Sequence, residues 1–252
     1  MAKRKKTIVA GDLVKTVIYT APEPRDGARV RAAKSRMTSA AQKAMNDKTA
    51  RGKLEMSIAV NFKRHDLFLT LTYRLKDLPD NRKGAVINVR KFLRNMREYR
   101  KSVGIPFKYI YVTEEKHGDG KLHHHIIMNA TERDIETIRS LWPYGDVIDI
   151  EYLGCREYVT WAEYMTKEGV EGRPVGAQLW TASKNLEKPK VTYSYVDNDE
   201  TLTAPIGAHV LEKEEKVTEF GSYCYIKYYI PPKYWEEERP QKREPWPLMS
   251  CL

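Results

Sequence analysis

The chain has 252 residues, 41% of them hydrophobic, which suits one large domain or one domain with arms, built on a single core. Its 44 Lys and Arg against 34 Asp and Glu leave a formal charge of +10, an excess that favours a polyanionic partner such as nucleic acid. Three widely spaced cysteines (Cys155, Cys224, Cys251) exclude a disulfide frame and a paired-cysteine zinc site, and no apolar run reaches signal-peptide or membrane-span length. A soluble protein of a reducing cytoplasm is expected.

Residues 1 to about 53 are rich in Lys, Arg, Ala and small polar types. VKTVIYT (14–20) reads as an extended piece, followed by the breaker APEPRDG. Residues 28–54 contain helix formers with a poor apolar face, which predicts a solvated basic helix. Lys3, Arg4, Lys5 and Lys6 form a basic run suited to phosphate contact or to a solvated tail.

LFLTLTY (67–73) is β-branched and aromatic, and predicts a central strand. Asp80 and Asn81 are candidate caps for a helix to about Val103, since Ala85, Val89, Phe92, Leu93, Met96, Tyr99 and Val103 follow helical spacing and Gly104 can end it. Arg90, Lys91, Arg94, Arg97 and Lys101 fall on its opposite, solvated face. FKYIYVTEE (107–115) predicts a second strand; KHGDG makes a turn, and 122–129 returns as the antiparallel partner. Thr131 caps a short helix that Pro143 stops, VIDIEYL (147–153) supplies another strand, and 156–168 another helix ended at Gly169. Beyond it, 170–217 reads as loop-rich and ambiguous, SYCYIKYYI (222–230) as a last strand, and the Pro-rich charged tail from 231 as irregular.

This order predicts an α+β fold, a central antiparallel sheet with helices mainly on one face and the other face free for chemistry. Three segments follow: a basic arm and helix at 1–55, a main domain at 56–230, and a tail at 231–252.

Within the returning strand, KLHHHIIMN (121–129) contains half of the six histidines. Side chains alternate along a strand, so His123 and His125 share a face, about 6.6–6.8 Å apart, while His124 faces the other way. Across the hairpin the partner strand ends in Glu114 and Glu115, of which alternation allows one beside the histidine pair. Two imidazoles and a carboxylate suit a catalytic divalent cation, Mn²⁺ or Mg²⁺, with Zn²⁺ also compatible. The same residues also suit a plain polar edge strand. Downstream, Tyr164 and Lys167 lie three apart on the predicted helix and share a face, with Thr160 beside them. Tyr158 is the rival tyrosine on that helix.

FLTLTY (68–73), VTEEKHGDGKLHHHIIMN (112–129) and AEYMTKEG (162–169), in this order and spacing, resemble the HUH endonuclease superfamily, in particular the rolling-circle replication initiators of bacterial plasmids, phages and integrated mobile elements. The resemblance spans roughly residues 60–170, and WTASKNLEKP (180–189) is also similar to some bacterial members. One departure is His124, where the family usually has a hydrophobe. The resemblance implies a ferredoxin-like (RRM-like) HUH fold. It implies His123, His125 and Glu114 as metal ligands, with Glu115 the alternative carboxylate. It implies Tyr164 as the nucleophile on single-stranded DNA or an origin hairpin, assisted by Lys167, leaving a 5′-phosphotyrosine and a free 3′-OH for a host polymerase, with a host helicase supplying strand separation. Other readings of the residues are a relaxase, a single-tyrosine transposase, or a non-catalytic DNA-binding regulator on the same fold.

Overall fold

A computed structural model describes residues 3–20, 40–115, 122–145, 148–168, 178–197, 200–218 and 221–230. In chain order the elements are β1 (Lys3–Ala10), β2 (Leu13–Thr20), α1 (Ala40–Asn61), β3 (Leu67–Leu71), α2 (Arg82–Ser102), β4 (Tyr109–Glu114), β5 (His123–Met128), α3 (Asp134–Leu141), β6 (Ile148–Tyr152), α4 (Tyr158–Thr166), β7 (Thr181–Ala182), β8 (Lys190–Val196), β9 (His209–Thr218) and β10 (Gly221–Tyr229). The single core expected from length is replaced by two compact units, 27–189 and the pair 1–26 with 190–252. The expected boundary at 55/56 falls inside α1. The predicted breaker at 21–27, the turn at 116–120, Gly169 and the tail from 231 lie outside the described residues, as does Cys251.

The 27–189 unit is α+β. Its five strands are all antiparallel, in the order β6-β3-β5-β4-β7. The run β3-α2-β4-β5-α3-β6 is the β-α-β-β-α-β arrangement of ferredoxin-like folds. The strands carry Leu, Ile, Val and aromatic residues on both faces, and helices cover both. On one face, Leu67, Leu69, Leu71, Tyr111, Ile126 and Met128 pack under α2 and α3 through Val89, Phe92, Met96 and Ile138. On the other, Phe68, Ile110, Val112 and Ile127 pack under α1 and α4 through Leu54, Ile58, Phe62, Ala162 and Met165. The expected free face is therefore partly covered, and α4 sits on it.

Helix α2 forms where the apolar spacing predicts it. Asn81 is extended and its side chain accepts from the Gly84 N–H at 3.1 Å, which satisfies one of the first-turn donors. Gly104, at φ +71°, follows the last turn in a left-handed conformation that side chains with a Cβ rarely adopt. One charge on α2 escaped the polar-face reading: Arg100 is fully buried and donates to Asp134 at 2.7 Å and to the Asn129 carbonyl at 2.5 Å, tying α2 to α3 and to the end of β5. Helix α3 starts three residues after Thr131, whose N–H donates to the Asp134 carboxylate instead of its side chain capping the helix.

The other unit is a second antiparallel sheet, ordered β8-β1-β2-β10-β9. The extended piece at 14–20 is strand β2, and the final strand is β10, as the pattern predicts. The basic run at the start is not a tail: Lys3 to Lys6 lie in β1, paired in register with β2 and with β8, nearly 190 residues away in sequence. The ambiguous 170–217 stretch contains two strands, β8 and β9. Strand β8 is exposed along almost its whole length, so it lacks the apolar and polar contrast that marks a half-buried strand. One face of this sheet is closed by Ile18, Ile226 and Leu202, with Val196, Ala204 and Tyr228 packed around them. Among the described residues, no helix is long and apolar enough to cross a membrane.

Candidate metal centre and tyrosine

The site forms at one end of β4 and β5. Glu114 pairs with His123, and Val112 with His125, so strand alternation puts Glu114, His123 and His125 on the face that α4 covers. His123 Nε2 is 3.0 Å from Glu114 Oε2, and His125 Nε2 is 3.4 Å from the same oxygen. The ligand atoms of the three side chains all lie within 4.8 Å of one another. Glu115 is outside this group; its backbone N–H donates to Glu168 at 2.9 Å.

This donor set fits a divalent cation. Glu114 is fully buried, and its second oxygen, Oε1, has no hydrogen-bond partner, nor does His125 Nε2, although both atoms are shielded from water. Buried polar atoms left without partners are costly, and a cation between them would satisfy both. His125 is held from behind by Thr70, whose Oγ1 is 3.2 Å from Nδ1. The tautomer that donates Nδ1–H to Thr70 leaves the Nε2 lone pair facing the carboxylate, the arrangement by which outer groups orient a ligating imidazole. Thr70 belongs to the threonine-bearing strand noted in the sequence, but its pairing with His125 comes only from the β3-β5 register.

Charge settles on Glu114. Burial pushes its carboxyl upward, but hydrogen bonds with His123 and His125 and the nearby Lys167 ammonium outweigh burial and hold it well below the usual carboxylate range. Burial lowers His125 from its ordinary value, against the opposing pull of Glu114, so its neutral form is favoured. Neutral imidazoles and an ionised carboxylate are the protonation states that metal ligation requires.

Helix α4 brings the remaining groups. Lys167, at its C-terminal end, places Nζ 3.3 Å from Glu114 Oε2 and 4.0 Å from the centroid of the Tyr164 ring. The Tyr164 ring stands edge-on to His125 at 4.9 Å and to Phe68 at 5.7 Å, and remains 41% exposed, so its hydroxyl has access to solvent beside the cluster. Trp161 stacks on Phe68 at 4.3 Å and fixes the helix on the sheet. Thr160 is exposed, and Tyr158 packs against the apolar cluster under α1 and α4.

His124 explains the third histidine. It projects to the opposite face, fully buried, with Nε2 2.8 Å from the Tyr73 hydroxyl, Nδ1 2.9 Å from Thr113 Oγ1, and its ring against Trp142. Burial, assisted by neighbouring positive charge, pulls it down to about 3, so it is a neutral core residue that bridges two hydroxyls.

Sequence reasoning missed Glu168. Its buried carboxylate accepts from the Glu115 N–H and lies 3.7 Å from Arg82, linking the end of α4 to β4 and to the start of α2. No local pattern signals it. The four basic residues at the start of the chain are on β1, in the other unit: Lys5 pairs with Glu200 at 2.6 Å, while Arg4 and Lys6 lie against tyrosine rings of β8.

Residues 66–169 match a family model described as a replication-associated protein of the ORF2 type. The matched span covers β3 through α4 and so includes Glu114, the histidines, Tyr164 and Lys167. It supports a replication-initiator role and, with it, DNA as the partner. No curated protein and no solved structure gives a significant match.

Proposed function

We propose that the protein is a metal-dependent, site-specific endonuclease and strand transferase for single-stranded DNA, which nicks an origin to start rolling-circle replication of a mobile element in a bacterial cytoplasm. The observation that carries this reading is the convergence of Glu114, His123 and His125 with the exposed Tyr164 ring and the Lys167 ammonium on one face of the sheet.

The Tyr164 oxygen attacks a phosphodiester phosphorus. The bond to the 3′ oxygen breaks, that oxygen takes a proton, and the 5′ phosphate stays on the tyrosine. A phenol ionises near pH 10, so the attack needs positive charge where the phenolate forms, and Lys167 Nζ, 4.0 Å from the ring centroid, supplies it. Glu114, His123 and His125 would hold Mn²⁺ or Mg²⁺, and the cation supplies Lewis-acid polarisation of the phosphate. Phe68 and Trp161 shield one side of the tyrosine, so the approach to its oxygen is from the exposed side. The phosphotyrosine conserves the bond energy for a later transfer to a hydroxyl, and the free 3′-OH serves a polymerase after helicase-assisted strand opening. Lys3, Arg4, Lys5 and Lys6 are proposed phosphate contacts, of which Arg4 and Lys6 are the better placed because Lys5 is engaged by Glu200.

The test is covalent capture. The full chain, Mn²⁺ and a pool of labelled single-stranded oligonucleotides should give an adduct stable to denaturation, and sequencing the attached strands should return one motif. Tyr164→Phe should form none while binding DNA as the parent does. An adduct that survives in Tyr164→Phe and vanishes in Tyr158→Phe would overturn the assignment.

A further inference from the structure

Strand alternation divides the residues of the second sheet between two faces, and the divide separates very different chemistry. The face bearing Ile18, Ile226 and Tyr228 is closed by Leu202 and Ala204. On the opposite face, the register puts Tyr195, Arg4, Tyr19, Tyr223 and Lys216 in one row across all five strands, with Tyr193 and Lys6 adjacent in the next row. Tyr195 is 73% exposed, Tyr193 55% and Tyr223 39%, unusual values for rings on a folded sheet.

The cations are interleaved with the rings. The Arg4 guanidinium carbon lies 5.4 Å from the Tyr193 centroid and 5.5 Å from that of Tyr195, and Lys6 Nζ is 5.6 Å from Tyr193. No carboxylate pairs with Arg4 or Lys6 among the described residues, and Arg4 Nε is buried without a hydrogen-bond partner. The β9 end of the face differs: Glu214 engages Lys216 at 2.5 Å, and Glu212 engages Lys227 at 2.6 Å. The positive, aromatic part is thus the edge formed by β8 and β1.

We infer that this edge is a binding platform for single-stranded DNA, distinct from the tyrosine and histidine site of the other unit. Tyr193 and Tyr195, two residues apart on an edge strand, offer successive bases a ring to stack on, and Arg4 and Lys6 meet the phosphates between them. A duplex buries its base faces in its own stack and cannot use the rings. The platform rests on the proposed single-stranded partner and requires nothing of the chemistry at Tyr164.

The experiment measures equilibrium binding of labelled single-stranded DNA to the full chain carrying Tyr164→Phe, in EDTA. The probes are an oligothymidine, an abasic strand of equal length and a duplex. Tyr193→Ala with Tyr195→Ala should weaken oligothymidine binding at least about fivefold per ring, and the two Phe substitutions should stay within about twofold, because stacking needs the ring and not the hydroxyl. Arg4→Gln with Lys6→Gln should lower the salt slope by about 0.7 per contact. Circular dichroism and melting establish that each variant is folded. Alanine variants that bind like the parent, or abasic and duplex probes that bind as tightly as oligothymidine, would overturn the platform. Covalent capture by the chain with Tyr164 intact, at saturating oligonucleotide, reads the other site independently. Loss of the adduct with a persisting tyrosine effect sinks only the nicking reading, and the reverse sinks only the platform.

Discussion

Glu114→Gln is the most informative single change, because it keeps the shape of the buried side chain while removing its charge and one of three ligands. A cation that binds only the folded site stabilises it by RT ln(1 + [M]/Kd), about 2.7 kcal/mol when the metal is a hundredfold above Kd. The unit that holds the site spans 27–189, a size for which 1 kcal/mol shifts Tm by about 2–4 °C, so Mn²⁺ should raise Tm by about 5–11 °C. Loss of even a group that merely supports a metal ligand weakens affinity about 10–100-fold, and loss of a ligand itself at least matches the upper end. At the same metal concentration the variant then keeps at most about 0.4 kcal/mol, a rise of about 1–2 °C. Differential scanning fluorimetry with and without Mn²⁺ measures both increments, each against its own metal-free baseline, so any change in metal-free stability cancels. An equal Mn²⁺-induced rise in parent and variant would remove Glu114 from the ligand set, and Glu115→Gln serves as the comparison, with its full rise retained.

Lys167→Met should lower the single-turnover nicking rate about 10²–10³-fold, the usual cost of removing one positioned electrostatic group, with little change in the DNA concentration needed for half-saturation; an unchanged rate would separate Lys167 from the chemistry. Arg100→Met should cost about 3–5 kcal/mol in urea unfolding because it strands the buried Asp134 carboxylate, whereas Arg100→Met with Asp134→Leu should recover most of that loss; additive losses would refute the pairing argument. Burial pushes Glu212 upward, but Lys227 and Tyr225 hydrogen bonds outweigh it and hold the carboxyl below its ordinary 4.5. Its contribution is therefore present above pH 4.5 and lost as pH falls through the lower folded value, so Glu212→Gln should show a flatter acid limb in stability against pH; a limb identical to the parent's would count against this.

Much of the 27–189 unit is legible in the sequence because its signals are local. The apolar spacing of Ala85 to Met96 writes helix α2, the β-branched runs write β3 and β4, and strand alternation puts His123 and His125 on one face with His124 on the other. The hairpin then brings one of two glutamates beside the pair, and three-residue spacing puts Tyr164 and Lys167 together. What stays hidden depends on distant partners. Nothing near Arg100 marks it as buried, because Asp134 and Asn129 reach it only after α2 and α3 pack on the sheet.

The sequence by itself determined the residue types, their alternation and the pairing possible across one hairpin. Only the tertiary structure decided that Glu114 rather than Glu115 joins the histidines, that α4 lies over that same face, and that Lys3 to Lys6 belong to a sheet with strands some 190 residues onward. Periodicity is set by the backbone geometry of neighbouring residues. Sheet order is set by which apolar faces can be buried together, and that competition is settled among segments far apart in the chain.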